Sequence, residues 1–357
     1  MIMDIPKTMK AAVLHQPLHV TIEERSVPRP GPGEALVKVM AVGVCGSDVH
    51  YYEHGRIGPY VVRDPLILGH ECAGIVVACG EGADKFRPGD RVAIEPGVSC
   101  GRCDCCKRGR YNLCPDVRFL ATPPVDGAFA QYIVHREDFL FPIPDQMTFE
   151  EAAMNEPFSV GIHAMNRAGF RPGQSVAVIG LGPVGLMAVA AAKAFGATMI
   201  IGCDREENRL EAARRLGAMH AVEAGADDVT VIRWLTGGVG VDVALETAGH
   251  PSAVQTAMKV TARGGKLSIV GLPPEPEVRV NVPLICDNEL DIYGVFRYAN
   301  TYPQGIRFLS SGVQGMDCLF TDRYPLEQAG EALHRAMTNK KGSLKVVVYP
   351  NEFPNEP

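Results

Sequence analysis

The stretch SVAVIGLGPVGLMAVAAAKAF, residues 175–195, decides how the chain is read. Residues 175–179 form a short, mostly β-branched apolar run. Breakers follow at Gly180, Gly182, Pro183 and Gly185, and residues 186–195 contain none. A hydropathy window alone would take the 17 residues 176–192 for a membrane span, at the bottom of the spanning range of about 17–25. The breakers divide that stretch and Lys193 follows at once, so it reads as a buried strand, a tight turn and a buried helix.

Outward from this stretch the same alternation continues. Strand-like runs fall at 175–179, 199–203, 220–222, 242–246, 266–270 and 291–295. Helix-like segments lie between them at 184–195, 206–216, 229–235 and 252–261. Strands interleaved with helices in this way specify an α/β domain with a doubly wound parallel sheet. Residues 1 to about 160 are different. They are rich in Val, Gly and Pro, with short strands such as 35–44, 74–78 and 91–94 cut by turn signals, which predicts a β-rich domain. After Asn300 short helical and strand-like pieces return at 305–309, 326–337 and 344–348, and the polar tail PNEFPNEP is expected to fray. The chain has 357 residues, and at about 150 residues per domain that length fits two domains.

Composition narrows the partners. With 46% apolar and 21% charged residues, the chain is an ordinary globular protein. Thirty-five basic against 41 acidic residues leave a net charge of −6. That balance argues against a nucleic-acid binder, which needs a basic excess to meet phosphates. The opening MIMDIPKTMKAAVLHQ has no apolar core of a secretory signal. A cytoplasmic protein with no membrane partner is the expectation.

Gly180, Gly182 and Gly185 have the GxGxxG spacing of a dinucleotide turn. Gly180 permits the sharp turn, Gly182 lets the backbone approach a pyrophosphate, and Gly185 lets the helix pack close to the strand. The helix N-terminus then offers free N–H groups to the anion. Asp204 ends the next strand, 19 residues beyond Gly185, where a carboxylate accepts bonds from ribose hydroxyls and repels a 2′-phosphate. That favours NAD. Arg205 pulls toward NADP, and Asp204 has a second reading as the N-cap of the following helix.

Five of the 11 cysteines fall between Cys100 and Cys114. Cys100, Cys103, Cys106 and Cys114 run C-x2-C-x2-C-x7-C, and four thiolates so placed can close a structural zinc shell. An iron–sulfur cluster or a group of free thiols is the alternative. Cys105 breaks the register and is left as a bystander. A second set is dispersed: Cys45 in GVCGSDVH (43–50), His70 and Glu71 in GHE (69–71), and Glu156 in NEP (155–157). Taken singly, each is more often an ordinary core or surface residue.

Taken in order, these motifs resemble the zinc-dependent medium-chain dehydrogenases. The stretches VCGSDVHYYEHGRIG, GDRVAIEPG, GRYNLCP, ATPPVDGAFAQY, EPFSVGIHA and GVFRYANTYP are similar to the polyol branch, the sorbitol and xylitol dehydrogenases. The resemblance spans essentially the whole chain. It implies a GroES-like catalytic domain from residues 1–157 and 299–357, with a Rossmann domain, 158–298, between them. It also implies about two zinc ions per subunit, NAD, a polyol substrate and a homo-oligomer, a tetramer.

Site roles follow from the same resemblance. Cys45, His70 and a carboxylate hold the catalytic zinc, with Glu71 expected as the ligand and Glu156 close by; the two carboxylates can exchange. Tyr51, Glu156, Arg297 and Tyr298 match polyol-contacting positions. Asp204 and Arg209 match ribose positions, and Val184 a pyrophosphate position. Leu272 and Phe296 lie near the nicotinamide, with Val270, Gly271, Val295 and Arg297 beside them. Ser47 and His50, two and five residues beyond Cys45, are read as a proton relay. Some animal polyol dehydrogenases lack the structural cysteines, and this chain has all four. The chemistry explains the parts: zinc lowers the pKa of a bound water from 15.7 to about 7, and an alcohol should respond in the same way. Two other readings stand: a sister enzyme acting on L-threonine or a vicinal diol, and a non-catalytic NAD-binding sensor.

Overall fold

The computed structural model describes residues 5–273, 277–339 and 341–353, so the tail from Pro354 onward lies outside the described residues. The chain divides into two compact units. The first comprises Met1–Glu156, Tyr302–Ser311 and Phe320–Pro357, and the second Pro157–Thr301 and Gly312–Leu319. The sequence expectation assigned 1–157 and all of 299–357 to the catalytic domain. The structure instead gives Pro157, 299–301 and Gly312–Leu319 to the second unit, the last of these where Arg215 pairs with Asp317 at 2.8 Å.

The first unit is built on β-sheet. Strands β1 (Thr8–Gln16) and β2 (His19–Ser26) form a hairpin that also takes in Leu66–Ile67. Its main sheet is centred on β3 (Glu34–Gly43), whose near-continuous apolar run is buried along almost its whole length. β3 pairs antiparallel with β4 (Glu71–Cys79), with Tyr132–Arg136 and with Lys345–Tyr349; β4 pairs with β5 (Arg91–Ile94). The β3–β4 register slips twice, between Leu36 and Val37 and between Val39 and Ala41. Such bulges bend the strands. One sits where β4 comes so close to β3 that a Cβ on Gly74 would collide with the Lys38 carbonyl. Val13, Leu14, Leu36, Val39, Ile94, Phe129, Leu140 and Val348 fill the interior. Helix α1 (Gly46–His54) lies in this unit, and helix α2 (Asn155–Arg167) begins in it.

The second unit carries six parallel strands: β6 (Ser175–Ile179), β7 (Met199–Asp204), β8 (His220–Glu223), β9 (Val241–Glu246), β10 (Thr261–Ile269) and β11 (Asp291–Gly294). Their spatial order is β8-β7-β6-β9-β10-β11. The order reverses between β6 and β9, so the crevice at the C-terminal ends of these strands is the ligand-receiving edge. The apolar stretch around 176–192 is indeed strand β6, a turn and helix α3 (Pro183–Ala194), with residues from Gly185 to Ala192 all buried. Pro183 occupies the first turn, where its missing N–H costs nothing. Among the described residues no helix is long and apolar enough to cross a membrane. Several strand limits move by one residue: β7 and β8 run on to Asp204 and Glu223, β9 begins at Val241, and β10 ends at Ile269. β10 starts at Thr261 because an irregular register around Gly264, at φ +69°, carries it back. β11 ends at Gly294, although the Val295 N–H still bonds the Ile269 carbonyl at 3.0 Å.

Candidate metal centres and cofactor crevice

In the first unit, Cys45 is the N-cap of α1, and Asp48 at the third helical position closes a capping box. The Cys45 N–H donates to Asp48 Oδ2 at 2.9 Å, and the Gly69 N–H donates to Asp48 Oδ1 at 2.9 Å. One fully buried carboxylate therefore ties the segment carrying Cys45 to the one carrying His70. His70 Nδ1 lies 3.6 Å from Asp48 Oδ1, and its ring packs 5.5 Å from that of Phe119. Burial opposes charge on His70, but Asp48 and Cys45 outweigh it and hold the pKa well above its usual value. Gly69, at φ +88°, makes the turn into β4; a Cβ there would stand 2.8 Å from the Phe129 ring.

Cys45, His70 and Glu71 offer one sulfur, one nitrogen and one oxygen, all within 4.8 Å of one another. Thiolate, imidazole and carboxylate donors so gathered suit a catalytic zinc with a fourth position left for a small ligand. Glu156, 6% exposed at the second position of α2, is not in that set. It faces the same interior: after burial itself, Glu156 is the strongest influence raising the pKa of the buried Cys72, ahead of Glu71 and Asp48. Ser47, partly buried, and His50, exposed, lie on α1 beyond Cys45, and Tyr51 on the same helix is buried.

Two residues here have roles that the sequence reading did not assign. Asp48 carries a legible signal, the N-cap to third-position spacing of a capping box. Lys345 carries none. It opens the strand Lys345–Tyr349, is 1% exposed, and its Nζ pairs with Glu71 Oε2, also 1% exposed. The same ammonium donates to the Val44 carbonyl at 3.0 Å. Gly43 leaves room for both, since its Cβ would stand 2.6 Å from Lys345 Cε and collide with the Glu71 carboxylate.

The second donor set is Cys100, Cys103, Cys106 and Cys114, whose sulfurs also lie within 4.8 Å of one another. Backbone amides turn inward upon them: Cys103 N–H to Cys100 Sγ at 3.3 Å and Cys100 N–H to Cys114 Sγ at 3.4 Å. The amides of Arg102 and Cys103 hold the Cys100 thiol down to about 6, which favours the thiolate a metal needs. Cys105 is outside the set. Four sulfur donors with no open position suit a structural zinc. Beside this lobe lies a polar trio of the buried Glu95 and His135 with the half-buried Tyr111. Tyr111 Oη donates to Glu95 Oε1 at 2.8 Å, and His135 Nε2 donates to the Glu95 carbonyl at 2.8 Å. Burial pushes the Glu95 carboxyl up to about 7, against the pull of Tyr111.

In the second unit, Gly180 turns at φ +99°, and a Cβ there would stand 2.6 Å from Ala248. A Cβ on Gly185 would collide with the Gly180 carbonyl. At Gly182 a Cβ would meet nothing within 4 Å, which leaves the backbone open to a pyrophosphate beside the first turn of α3, where Val184 follows. Asp204 ends β7. Its Oδ2 accepts the Leu181 N–H at 2.6 Å and faces Arg209 at 3.5 Å; its Oδ1 accepts the amides of Arg205 at 2.8 Å and Glu206 at 3.1 Å. The carboxylate thus fixes the glycine turn and the chain entering helix α4 (Glu207–Leu216), whose N-cap is Glu206. Val270 and Gly271 follow β10, and Leu272 is 77% exposed. Beyond β11 and Val295, the Arg297 guanidinium lies 4.8 Å from the Phe296 ring, Arg297 takes φ +52°, and Tyr298 is buried.

Comparison with known proteins gives this geometry a context. Residues 31–145 match the alcohol dehydrogenase GroES-like domain, and residues 183–311 match the zinc-binding dehydrogenase family. The sorbitol dehydrogenase of Bacillus subtilis (strain 168) is 60% identical over 348 residues, covering 97% of this chain and 99% of that protein. The crystal structure of an Escherichia coli oxidoreductase/dehydrogenase of unknown specificity aligns with a TM-score of 0.92 at 40% identity, covering 97% and 100%. That of 2R,3R-butanediol dehydrogenase from Bacillus subtilis gives 0.87 at 32% identity, covering 96% and 100%. With both parts of the chain matched and a relative this similar along nearly its full length, the chain belongs to the zinc-binding dehydrogenases with a GroES-like domain.

Proposed function

We propose that this chain is an NAD-dependent zinc dehydrogenase that oxidises a polyol of the sorbitol and xylitol kind to the corresponding ketose. The observation that carries the reading is the sulfur, nitrogen and oxygen triad of Cys45, His70 and Glu71 in a chain 60% identical to a sorbitol dehydrogenase. Zinc, when bound there, supplies Lewis acidity that makes a hydroxyl proton easier to remove. Asp48 holds Cys45 and His70 in register, and Lys345 holds one oxygen of Glu71. Ser47 and His50 take the released proton outward. Tyr51, Glu156, Arg297 and Tyr298 supply two phenols, a carboxylate and a guanidinium to the several hydroxyls of a polyol. On the cofactor, Gly182 and Val184 receive the pyrophosphate and Asp204 and Arg209 the ribose, while Leu272 and Phe296 border the nicotinamide. Cys100, Cys103, Cys106 and Cys114 hold the structural zinc.

The test is a substrate panel followed by NADH absorbance. Sorbitol or xylitol should be turned over with NAD, and ethanol poorly. Losing a substrate hydrogen bond to a buried charged group costs about 1–3 kcal/mol. Arg297→Ala should therefore lower kcat/KM for the polyol by about tenfold or more, at roughly 1.36 kcal/mol per decade. The residual rate on ethanol should change little. Strong turnover of ethanol with none of any polyol would overturn the reading. The likeness to butanediol dehydrogenase supports a second reading, oxidation of a vicinal diol, and the same panel separates the two. We also take the enzyme to act as a homotetramer in the cytoplasm, a subunit count that light scattering on the purified chain checks.

A further inference from the structure

Glu246 has no part in the chemistry above, yet among the described residues it is the most deeply buried acid of the second unit, at 0% exposure. It is the last residue of β9, the first strand beyond the point where the strand order reverses. Its side chain and its backbone reach different loops. Oε1 accepts the N–H groups of Ala248 at 3.0 Å and Gly249 at 2.8 Å. Its carbonyl accepts those of Val270 at 2.8 Å and Gly271 at 3.1 Å. Oε2 makes no hydrogen bond, and a Cβ on Gly271 would stand 2.8 Å from it. One residue thus gathers the loop after β9 and the loop after β10 with four backbone donors and no cation.

The two loops meet with almost no space between them. A Cβ on Gly249, which turns at φ +64°, would stand 2.6 Å from the Leu272 carbonyl, and one on Gly271 would collide with the Gly249 nitrogen. The same loop reaches the glycine turn: the Thr247 N–H donates to the Ile179 carbonyl at 2.9 Å, and its hydroxyl donates to the Gly180 carbonyl. A continuous path of backbone contacts therefore runs from Gly180 through Gly249 to the exposed Leu272. In a doubly wound sheet the first three strands receive one mononucleotide and the second three receive the other, across the reversal point. The glycine turn and Asp204 belong to the first half, and the loops held by Glu246 belong to the second.

We propose that Glu246 is a positioning residue for the nicotinamide half of the cofactor: its side chain fixes the loop after β9, and the close approach of Gly249 to Gly271 and Leu272 passes that form on to the loop after β10. This rests on reading the chain as a nicotinamide-dinucleotide dehydrogenase. A carboxyl suits the task because Oε1 serves as acceptor to two backbone N–H groups at once, those of Ala248 and Gly249. A glutamine keeps the acceptor at Oε1 but places an NH2 beside Gly271, so it should serve less well. A purely structural role would have a different signature, since damage to the sheet would weaken every part of the cofactor alike.

Two ligands separate these cases: NADH, and ADP-ribose, which lacks the nicotinamide. Binding of each to the purified full-length chain is measured by calorimetry for the unaltered protein, Glu246→Ala and Glu246→Gln. The expected result is NADH weakened by about tenfold or more in Glu246→Ala and by about threefold in Glu246→Gln, from loss or weakening of the hydrogen bonds that Oε1 accepts. ADP-ribose should bind all three proteins within about twofold, because Gly180, Gly182, Gly185 and Asp204 are unchanged. Equal losses for the two ligands, or no loss for NADH, would overturn the proposal. Should Glu246→Ala not fold, the split between ligands in Glu246→Gln decides alone. An unaltered chain that binds neither ligand would instead overturn the dehydrogenase reading beneath it.

Discussion

Lys345→Met offers a direct test of how the dispersed donor set is held. Met matches the lysine stem in length and removes only the ammonium. Lys345 and Glu71 are each 1% exposed, so the substitution strands a carboxylate that has no water to turn to. Breaking a buried pair by removing one partner costs about 3–5 kcal/mol. That cost falls on the zinc-stripped protein. In the zinc-loaded protein a divalent cation next to Glu71 replaces the missing charge, so most of the cost is not felt. By linkage the difference appears as zinc affinity. A gain of about 3 kcal/mol is roughly two decades in dissociation constant. The assay is urea unfolding of stripped and reloaded protein, with zinc affinity read by competition against a chromophoric chelator. The four-cysteine set contributes equally to both proteins and cancels. Lys345→Met should be the less stable protein when stripped, and should hold zinc at the dispersed site more tightly. A stripped variant as stable as the parent, or one that binds zinc more weakly, would refute the view that Lys345 and the metal compete for Glu71.

Three further outcomes are expected. Elemental analysis should find about two zinc ions per chain, and Cys103→Ser should bring that to about one with a lower melting temperature, while Cys45→Ser should lose turnover and keep the fold; iron in the pure protein would contradict both assignments. Asp204→Ala should raise the ratio of NADP to NAD efficiency, by removing the charge that repels a 2′-phosphate, but it should weaken both cofactors, because the Leu181 amide loses its acceptor; a ratio that does not move would remove Asp204 from the specificity argument. Glu95→Gln should alter the pH dependence of stability. The folded chain keeps a proton on Glu95 up to about pH 7, whereas the unfolded chain releases it near 4.5, so stability falls as pH rises between those values and levels off above. Relative to the parent, the variant should gain about 2 kcal/mol between pH 5.5 and 8, from some 1.5 pH units at about 1.36 kcal/mol each; parallel urea curves would count against it.

Local signals made the second unit readable. A β-branched run, a glycine-punctuated turn and an unbroken helix sit next to one another in the chain, and the structure returns strand, turn and helix within a residue of expectation. The four cysteines are similar, since a separation of only 14 positions from first to last holds the whole donor set. What escaped depends on contacts far apart in sequence. Lys345 meets Glu71 across 274 positions, and a single lysine opening a VVVY strand reads as a solvated edge. Gly312–Leu319 has no element pattern that ties it to the second unit; the Asp317 pair with Arg215 and the close approach of Gly315 to the Arg215 backbone do so. Glu246 looks like any acid at a strand end until the two loops close over it.

The division of the first unit between the two ends of the chain sets a timetable for its manufacture. The second unit consists mostly of one unbroken stretch, so it has nearly all its parts as soon as it leaves the ribosome. Glu71 emerges early and must wait 274 residues for Lys345. At bacterial-to-eukaryotic elongation rates of about 5–20 residues per second that wait lasts roughly 15–55 s. Through that interval the Cys45, His70 and Glu71 donors exist without the ammonium that later holds one of them. A growing chain therefore offers its metal donors before it offers their restraint, and zinc arriving during synthesis meets a different site from zinc arriving after release.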